Sequence, residues 1–129
     1  MTTIARDVGV SKHIGSYSDA IEAPAGLRWL FTSGMPGISP ETGDLLKGIE
    51  AQTRQAWANI FGALKKANMT PADMVKVNTT LIDANDRATY VKVRKELLGN
   101  VKPAFMLVVV NELVRADMLV EIEVVAAAK

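Results

Sequence analysis

Apolar residues recur every three or four positions over residues 48–68, and this spacing predicts an amphipathic helix. Lys65 and Lys66 fall in its last turn, where positive charge interacts favourably with the helix dipole. A similar pattern over residues 83–98, followed by Gly99, predicts a second helix. The predicted apolar stripe of the first helix is Ile49, Ala56, Trp57, Ile60, Leu64 and Ala67. Along one side of the second helix lie Ala88, Val91, Arg94 and Leu97 or Leu98.

Alternation with period 2 predicts strands in the second half of the chain. Residues 76–82 alternate in this way, and residues 102–128 are typical of two strands joined by a short polar connection. The last strand carries two acids among apolar residues, so they mark either a solvated sheet face or the floor of a polar cleft. Its apolar face comprises Val120, Ile122 and Val124, and its polar face comprises Glu121 and Glu123.

In the first third of the chain the pattern predicts shorter strands. Residues 5–10 predict a weak strand, and residues 17–23 and 27–33 predict two more. The Pro24-Ala25-Gly26 sequence between the last two is typical of a turn, so we expect a hairpin there. Residues 34–43 contain three glycines and two prolines and predict a surface loop.

The order of these elements favours one α+β domain over residues 1–129. Helices alternate with strands in the middle of the chain, and we expect hairpins at both ends, which indicates a mixed sheet with both helices on one face. The other face must then contact water or another subunit.

Composition excludes several classes of function. Fifteen Lys and Arg against fourteen Asp and Glu leave a net charge of +1 with no basic block, so nucleic-acid binding is not expected. The chain has no cysteine and one histidine, which excludes thiolate chemistry and a histidine-rich metal site. No apolar run is long enough to cross a membrane and no leader segment is evident, so we expect a cytoplasmic protein.

Several stretches, in one register over residues 15–126, resemble the YjgF/RidA/endoribonuclease L-PSP family. The stretches that carry the resemblance are GSYSDAI at 15–21, FTSGMP at 31–36, PETG at 40–43, EAQTRQA at 50–56, DMVKV at 73–77, ND at 85–86, PA at 103–104 and VEIE at 120–123.

This resemblance implies a chorismate-mutase-like fold, with a mixed six-stranded sheet and two helices on one face. It also implies a homotrimer with clefts between subunits that hydrolyses reactive enamines and imines to ketone and ammonia, without a metal or other cofactor. Some members carry a ribonuclease activity, which the weak basic character of this chain does not favour.

The resemblance also implies site residues. Glu121 matches the acid that orients or activates water, and Tyr17, Ser33 and Gly34 match residues that line the cleft. The chain departs from the family at Phe105, where imine deaminases carry the arginine that binds the substrate carboxylate. Two further departures are Val91, where many members have asparagine, and His13, which replaces a commoner residue just before Tyr17.

Each of these residues has a structural interpretation beside the functional one. Glu121 could be a solvated acid, and Phe105 could select an apolar substrate or fill a site that has lost its chemistry. His13 could act in proton transfer or lie on the surface. We expect a structural role for Glu123, such as pairing with Arg115 or with a neighbouring subunit.

A pocket without the arginine disfavours small 2-imino acids as substrates, because a neutral pocket leaves a carboxylate unpaired. Arg115, Arg28 and Arg94 are candidates to supply the missing charge, although each is typical of a solvated surface. The sequence therefore predicts a hydrolase for another imine, enamine or electrophilic intermediate. The alternative is a trimer that binds a metabolite without turning it over.

Overall fold

The structure is a computed structural model that describes residues 3–129. The α+β composition is confirmed, with α1 at Ile49–Lys66 and α2 at Arg87–Leu98. Short 3-10 turns cover Ser11–His13, Pro71–Asp73 and Ala84–Asp86. The strands are β1 Ile4–Ala5, β2 Ile21–Glu22, β3 Arg28–Phe31, β4 Met35–Pro36, β5 Met74–Leu81, β6 Ala104–Val109 and β7 Val120–Ala128.

The main sheet is mixed, as predicted. Its strand order is β3-β7-β5-β6, and β4 also pairs with β7. β5 and β6 are parallel and are connected through α2, whereas β7 runs antiparallel to β5, β3 and β4. β1 and β2 form a separate two-stranded sheet, and a bridge between Ser18 and Ala104 extends the main sheet beyond β6. The six strands that the resemblance implies are thus seen as five strands and this bridge.

Both predicted hairpins are wrong. β2 pairs with β1 rather than with β3, and β3 pairs with β7. At the other end, β5 lies between β6 and β7, because residues 110–119 carry the chain past β5 instead of reversing it. Turn-forming residues indicate where a chain changes direction, but the strand partner is chosen by contacts between residues distant in sequence. The last strand therefore lies in the middle of the sheet.

Both helices cover one face of the sheet, as expected. Ala56, Trp57, Ile60 and Leu64 of α1 are buried, which confirms most of its predicted stripe. From the sheet, the core receives the alternate positions of β7, and these are Val120, Ile122, Val124 and Ala126. Gln52 is also buried on α1, and its side chain donates to the Asp117 carbonyl at 3.0 Å and accepts from the Leu119 amide at 2.8 Å. This pair of hydrogen bonds anchors the start of β7 against the helix.

The buried face of α2 is rotated relative to the prediction. Tyr90, Val93, Arg94 and Leu98 are buried, whereas Ala88 and Leu97 are exposed and Val91 is half-buried. Tyr90 was missed because its polar hydroxyl obscures the apolar pattern, yet that hydroxyl forms a short hydrogen bond with the Thr79 hydroxyl inside the core. No helix within residues 3–129 is both long and apolar enough to cross a membrane.

Candidate active site

A one-residue irregularity in the sheet places Gly34 against Glu121. Phe31 pairs with Val125 and Met35 with Ile122, so four steps along β3–β4 match three along β7. Such an extra residue is a β-bulge, which re-aims the local backbone. The Thr32 amide donates to the Val124 carbonyl at 3.0 Å and the Thr32 hydroxyl accepts from the Val124 amide at 2.9 Å, which fixes the start of the bulge.

The backbone at Gly34 lies directly over the Glu121 side chain. A methyl group built on Gly34 would lie 2.6 Å from the Glu121 carboxyl carbon, so any larger residue here would displace the Glu121 side chain from its present position. Ser33 is exposed beside it. The structure thus brings together three of the predicted site residues, Ser33, Gly34 and Glu121.

The two acids of β7 differ in their partners. Glu123 accepts a hydrogen bond from the Asn78 amide at 2.9 Å, whereas the Glu121 carboxylate forms no hydrogen bond or ion pair within residues 3–129. The expected pairing of Glu123 with Arg115 is wrong, because Arg115 pairs with Asp117 at 3.3 Å. Of the two acids, Glu121 is therefore the one available for chemistry.

A groove of about 960 Å³ lies at the other side of the molecule, between α2, β6 and the segment before Tyr17. Tyr17, Val91 and Phe105, all predicted site residues, line it. The complete lining is Ile14, Gly15, Tyr17, Ala84, Asn85, Arg87, Ala88, Val91, Lys92, Arg94, Lys95, Phe105 and Leu107. Its walls are thus apolar on the β6 side and cationic on the α2 side.

Arg94 is buried in the wall of this groove, so its interpretation as a solvated surface residue is wrong. Only 7% of the residue is exposed, and its guanidinium carbon lies 4.4 Å from the centroid of the Phe105 ring. The same carbon lies 5.7 Å from the Tyr90 ring centroid. Both distances are within the range of cation–π attraction. A charged residue inside an otherwise apolar helical stripe was the signal for this position in the sequence.

The other predicted polar residues lie elsewhere. His13 and Arg115 are exposed and are not part of the groove lining. Arg28 is also exposed, and its guanidinium donates to the carbonyls of Lys129 and Ala67, each at 3.0 Å. Of the three candidate cations, only Arg94 therefore lies beside Phe105.

The segment that carries Tyr17 is held by backbone hydrogen bonds to one acid, Asp19. Its carboxylate accepts from the amides of residues 8–11 at 2.6 to 3.1 Å. Partial burial raises the pKa of Asp19, but these four N–H groups outweigh it and lower the pKa to about 2. The Ser18 amide also donates to the Pro103 carbonyl at 3.1 Å. Tyr17 therefore directly precedes two anchored residues, Ser18 and Asp19.

Within one chain the two halves of the candidate site do not meet. Phe105 pairs with Val77, whose side chain belongs to the core under the helices, whereas Glu121 pairs with Thr80 on the opposite face. The groove and the bulge are also separated by β5 in the strand order. Sequence reasoning named residues of both halves, with Arg94 among the candidate cations, but it expected Arg94 on a solvated surface and it missed the bulge.

A mixed sheet with two helices on one face and an acid held under a bulge defines a chorismate-mutase-like α+β protein. A Rid protein family member from Yersinia pestis, of unknown function, has the same fold with a TM-score of 0.85 and 27% identity, over 99% of this chain and all of the other. The family profile described as Endoribonuclease L-PSP matches residues 10–128. The chain belongs to this family, which is the YjgF/RidA family.

Two relatives extend the comparison. A RutC family protein of Pyrococcus horikoshii is 42% identical over 116 residues, which are 89% of each chain. A mouse protein named 2-iminobutanoate/2-iminopropanoate deaminase is 32% identical over 114 residues, 88% of this chain and 82% of the relative. The family therefore includes enzymes that deaminate imines.

Proposed function

We propose that this protein is an enamine or imine deaminase that works as a homotrimer. The observation that carries the proposal is the Glu121 carboxylate, which has no partner within residues 3–129 and lies directly against the Gly34 backbone. A carboxylate in this state is free to accept a proton from water and to return it. The deaminase activity of the mouse relative supports the same reaction class.

The reaction needs one acid–base group and no redox step. Water adds through its oxygen to the carbon of the C=N bond, and Glu121 takes the proton that the water releases. Glu121 passes this proton to the nitrogen, which gives a carbinolamine with one hydroxyl and one amino group. Glu121 then takes the hydroxyl proton and passes it to the amino nitrogen, so that the C–N bond breaks, ammonia leaves and the carbon becomes a carbonyl. We assign the binding of the water, or of a developing charge, to the backbone N–H groups of Ser33 and Gly34 beside this acid.

The separation of the two halves supports assembly from several subunits. Glu121 lies on the sheet face that the helices leave open, and the same face carries Trp29, Phe31 and Met106, which are 49%, 71% and 57% exposed. The Trp29 and Phe31 rings stack on each other with centroids 6.3 Å apart, so they form one apolar surface. Burying this surface against another copy would bring Glu121 of one subunit near the groove of its neighbour.

The groove indicates the kind of substrate body. Phe105, Leu107 and Val91 give it an apolar wall that fits a branched or ring-bearing group rather than a methyl group. The smallest 2-imino acids would leave much of this wall uncovered. We infer that the groove can nevertheless accept a carboxylate, because four cations line it and no Asp or Glu does.

Imine hydrolysis tests this proposal directly. An amino-acid oxidase generates imines from alanine, leucine and phenylalanine, and semicarbazide traps whatever the protein has not hydrolysed. We expect faster hydrolysis of the two larger imines than of 2-iminopropanoate. Glu121→Gln should lower the rate about 100-fold or more, as loss of a general acid–base group does.

Glu123→Gln is the matched control, because Glu123 lies one step along the same face and bonds Asn78. Its rate should stay within about twofold of the wild type, and light scattering should give a trimer for all three proteins. Turnover that survives in Glu121→Gln would refute the role of this acid. A protein that hydrolyses no imine at all would instead be the metabolite-binding alternative.

A further inference from the structure

The groove contains a buried positive charge for which residues 3–129 offer no counter-ion. Arg94 is 93% buried by area, yet no Asp or Glu oxygen in this range lies within 4.0 Å of its guanidinium. Buried charges in proteins are normally paired, because an isolated one loses its hydration without compensation. The Tyr90 hydroxyl bonds Thr79 and also lies within reach of Arg94, but it is neutral and supplies no counter-charge. An anion that enters the groove would supply the missing partner.

We propose that Arg94 binds the carboxylate of the substrate, from helix α2, in place of the arginine that the resembling deaminases carry at the Phe105 position. This assignment rests on the deaminase function proposed above and adds the substrate class. The ligand would be a 2-imino acid with an apolar or aromatic side chain.

Phe105 has a defined part in this arrangement. Its ring lies 4.4 Å from the Arg94 guanidinium carbon, within the range of cation–π attraction. A guanidinium bound through its face keeps its edge N–H donors available, and two of them match the two oxygens of a carboxylate. The exchange of arginine for phenylalanine on β6 therefore provides a support for an arginine that approaches from the helix.

The surrounding charges favour the same ligand. Arg87, Lys92 and Lys95 line the groove with Arg94, and no Asp or Glu is among the lining residues. These three are exposed, so solvent screens them and they attract an anion toward the groove without fixing its orientation. Arg94, which is buried and stacked, is the cation that can fix it.

Binding of a stable 2-oxo acid tests the assignment without requiring turnover. Phenylpyruvate carries the carboxylate, and phenylacetone is its uncharged counterpart with a methyl group instead. By calorimetry on the intact wild-type protein, phenylpyruvate should bind roughly 10- to 100-fold more tightly than phenylacetone, the range expected for hydrogen bonds to a charged group. Equal affinities, or no binding of phenylpyruvate, would overturn the assignment.

Variants then locate the charge. Arg94→Met should weaken phenylpyruvate binding by the same roughly 10- to 100-fold and leave phenylacetone unchanged, and Arg94→Lys should recover part of the loss. Lys95→Met is the matched control on the same helix, with an expected change of less than about threefold. The double variant Arg94→Met with Phe105→Arg should regain phenylpyruvate binding. A Lys95→Met loss as large as that of Arg94→Met would show that the general charge of the groove, and not Arg94, binds the anion.

The two proposals fail separately. If the wild type hydrolyses no imine but binds phenylpyruvate through Arg94, the deaminase function is wrong, and Arg94 still binds the carboxylate of a ligand. If the wild type hydrolyses imines and Arg94→Met changes neither KM nor phenylpyruvate binding, the assignment to Arg94 is wrong and the deaminase function stands.

Discussion

Replacing Gly34 by alanine should lower the rate of imine hydrolysis and leave the stability of the protein almost unchanged. The added methyl carbon would lie 2.6 Å from the carboxyl carbon of Glu121 and 2.9 Å from its Cγ, where ordinary contacts are 3.4 Å or more. The carboxylate therefore has to move by about 1 Å. It lies at the end of a flexible side chain, so the stability loss should stay below about 1 kcal/mol. A displacement of about 1 Å in a catalytic group lowers the rate roughly 100-fold.

Gly37→Ala serves as the comparison, because it should lower the stability of the protein by shifting a helix. Its methyl carbon would lie 2.5 Å from the Cα and 2.6 Å from the carbonyl oxygen of Gln52, which are backbone atoms of α1. Backbone cannot rotate away, so the helix has to shift at a cost of about 1 to 3 kcal/mol. In a domain of this size that lowers the melting temperature by roughly 4 to 12 °C.

The assay measures the imine hydrolysis rate and the melting temperature of each variant. Gly62→Ala is the control for the substitution itself, because nothing lies within 4 Å of the added carbon and alanine stabilises a helix by up to about 1 kcal/mol. The reasoning would be refuted if Gly34→Ala kept full activity. It would also be refuted if Gly34→Ala lost as much thermal stability as Gly37→Ala, since the contact would then be structural.

Two buried or anchored groups give pH-dependent predictions. Burial raises the pKa of Tyr90 to about 12, against an ordinary value near 10. The native state therefore keeps a proton that the unfolded chain loses. The free energy of unfolding should fall by on the order of 2 kcal/mol as the pH rises from roughly 10 to 12. Urea unfolding should show this loss in the wild type but not in Tyr90→Phe. The pKa of Asp19 is lowered to about 2, so its contribution is present above roughly pH 4 and is lost as the pH falls toward 2. Hydrogen exchange of the amides of residues 8–11 should accelerate over that acid range in the wild type and already at neutral pH in Asp19→Asn, and unchanged exchange in the variant would contradict the anchoring role.

The parts of the fold that follow from local pattern were predictable. The spacing of apolar residues gave α1, and the alternation of β7 separated Glu121 from its apolar neighbours, because both depend on residues close in sequence. The strand partners were not predictable in this way. Nothing near Leu27 indicates that β3 pairs with the C-terminal strand, and two local turn signals suggested hairpins instead.

The candidate site was predictable in its residues but not in its electrostatics. The resemblance identified Glu121, Gly34 and Phe105, and the loss of arginine at Phe105 suggested a neutral pocket. The structure brings Arg94 beside Phe105 from a different element, and its place in the helical stripe indicates burial but not this contact. Under the proposed assignment, a residue on a neighbouring helix takes the part of one missing from the strand, because a site depends on where groups meet in space.

The bulge before β4 gives this protein a site whose shape depends on the number of residues between Phe31 and Met35. With one residue fewer, β3 and β4 could join into an uninterrupted strand with regular pairing along β7, and the backbone would no longer reach over Glu121. This short segment can therefore either continue the regular sheet or pass over Glu121, but it cannot do both. Under the proposed function, a shorter segment here would impair hydrolysis while making the sheet more regular, so the site depends on the length of this segment as well as on its residues.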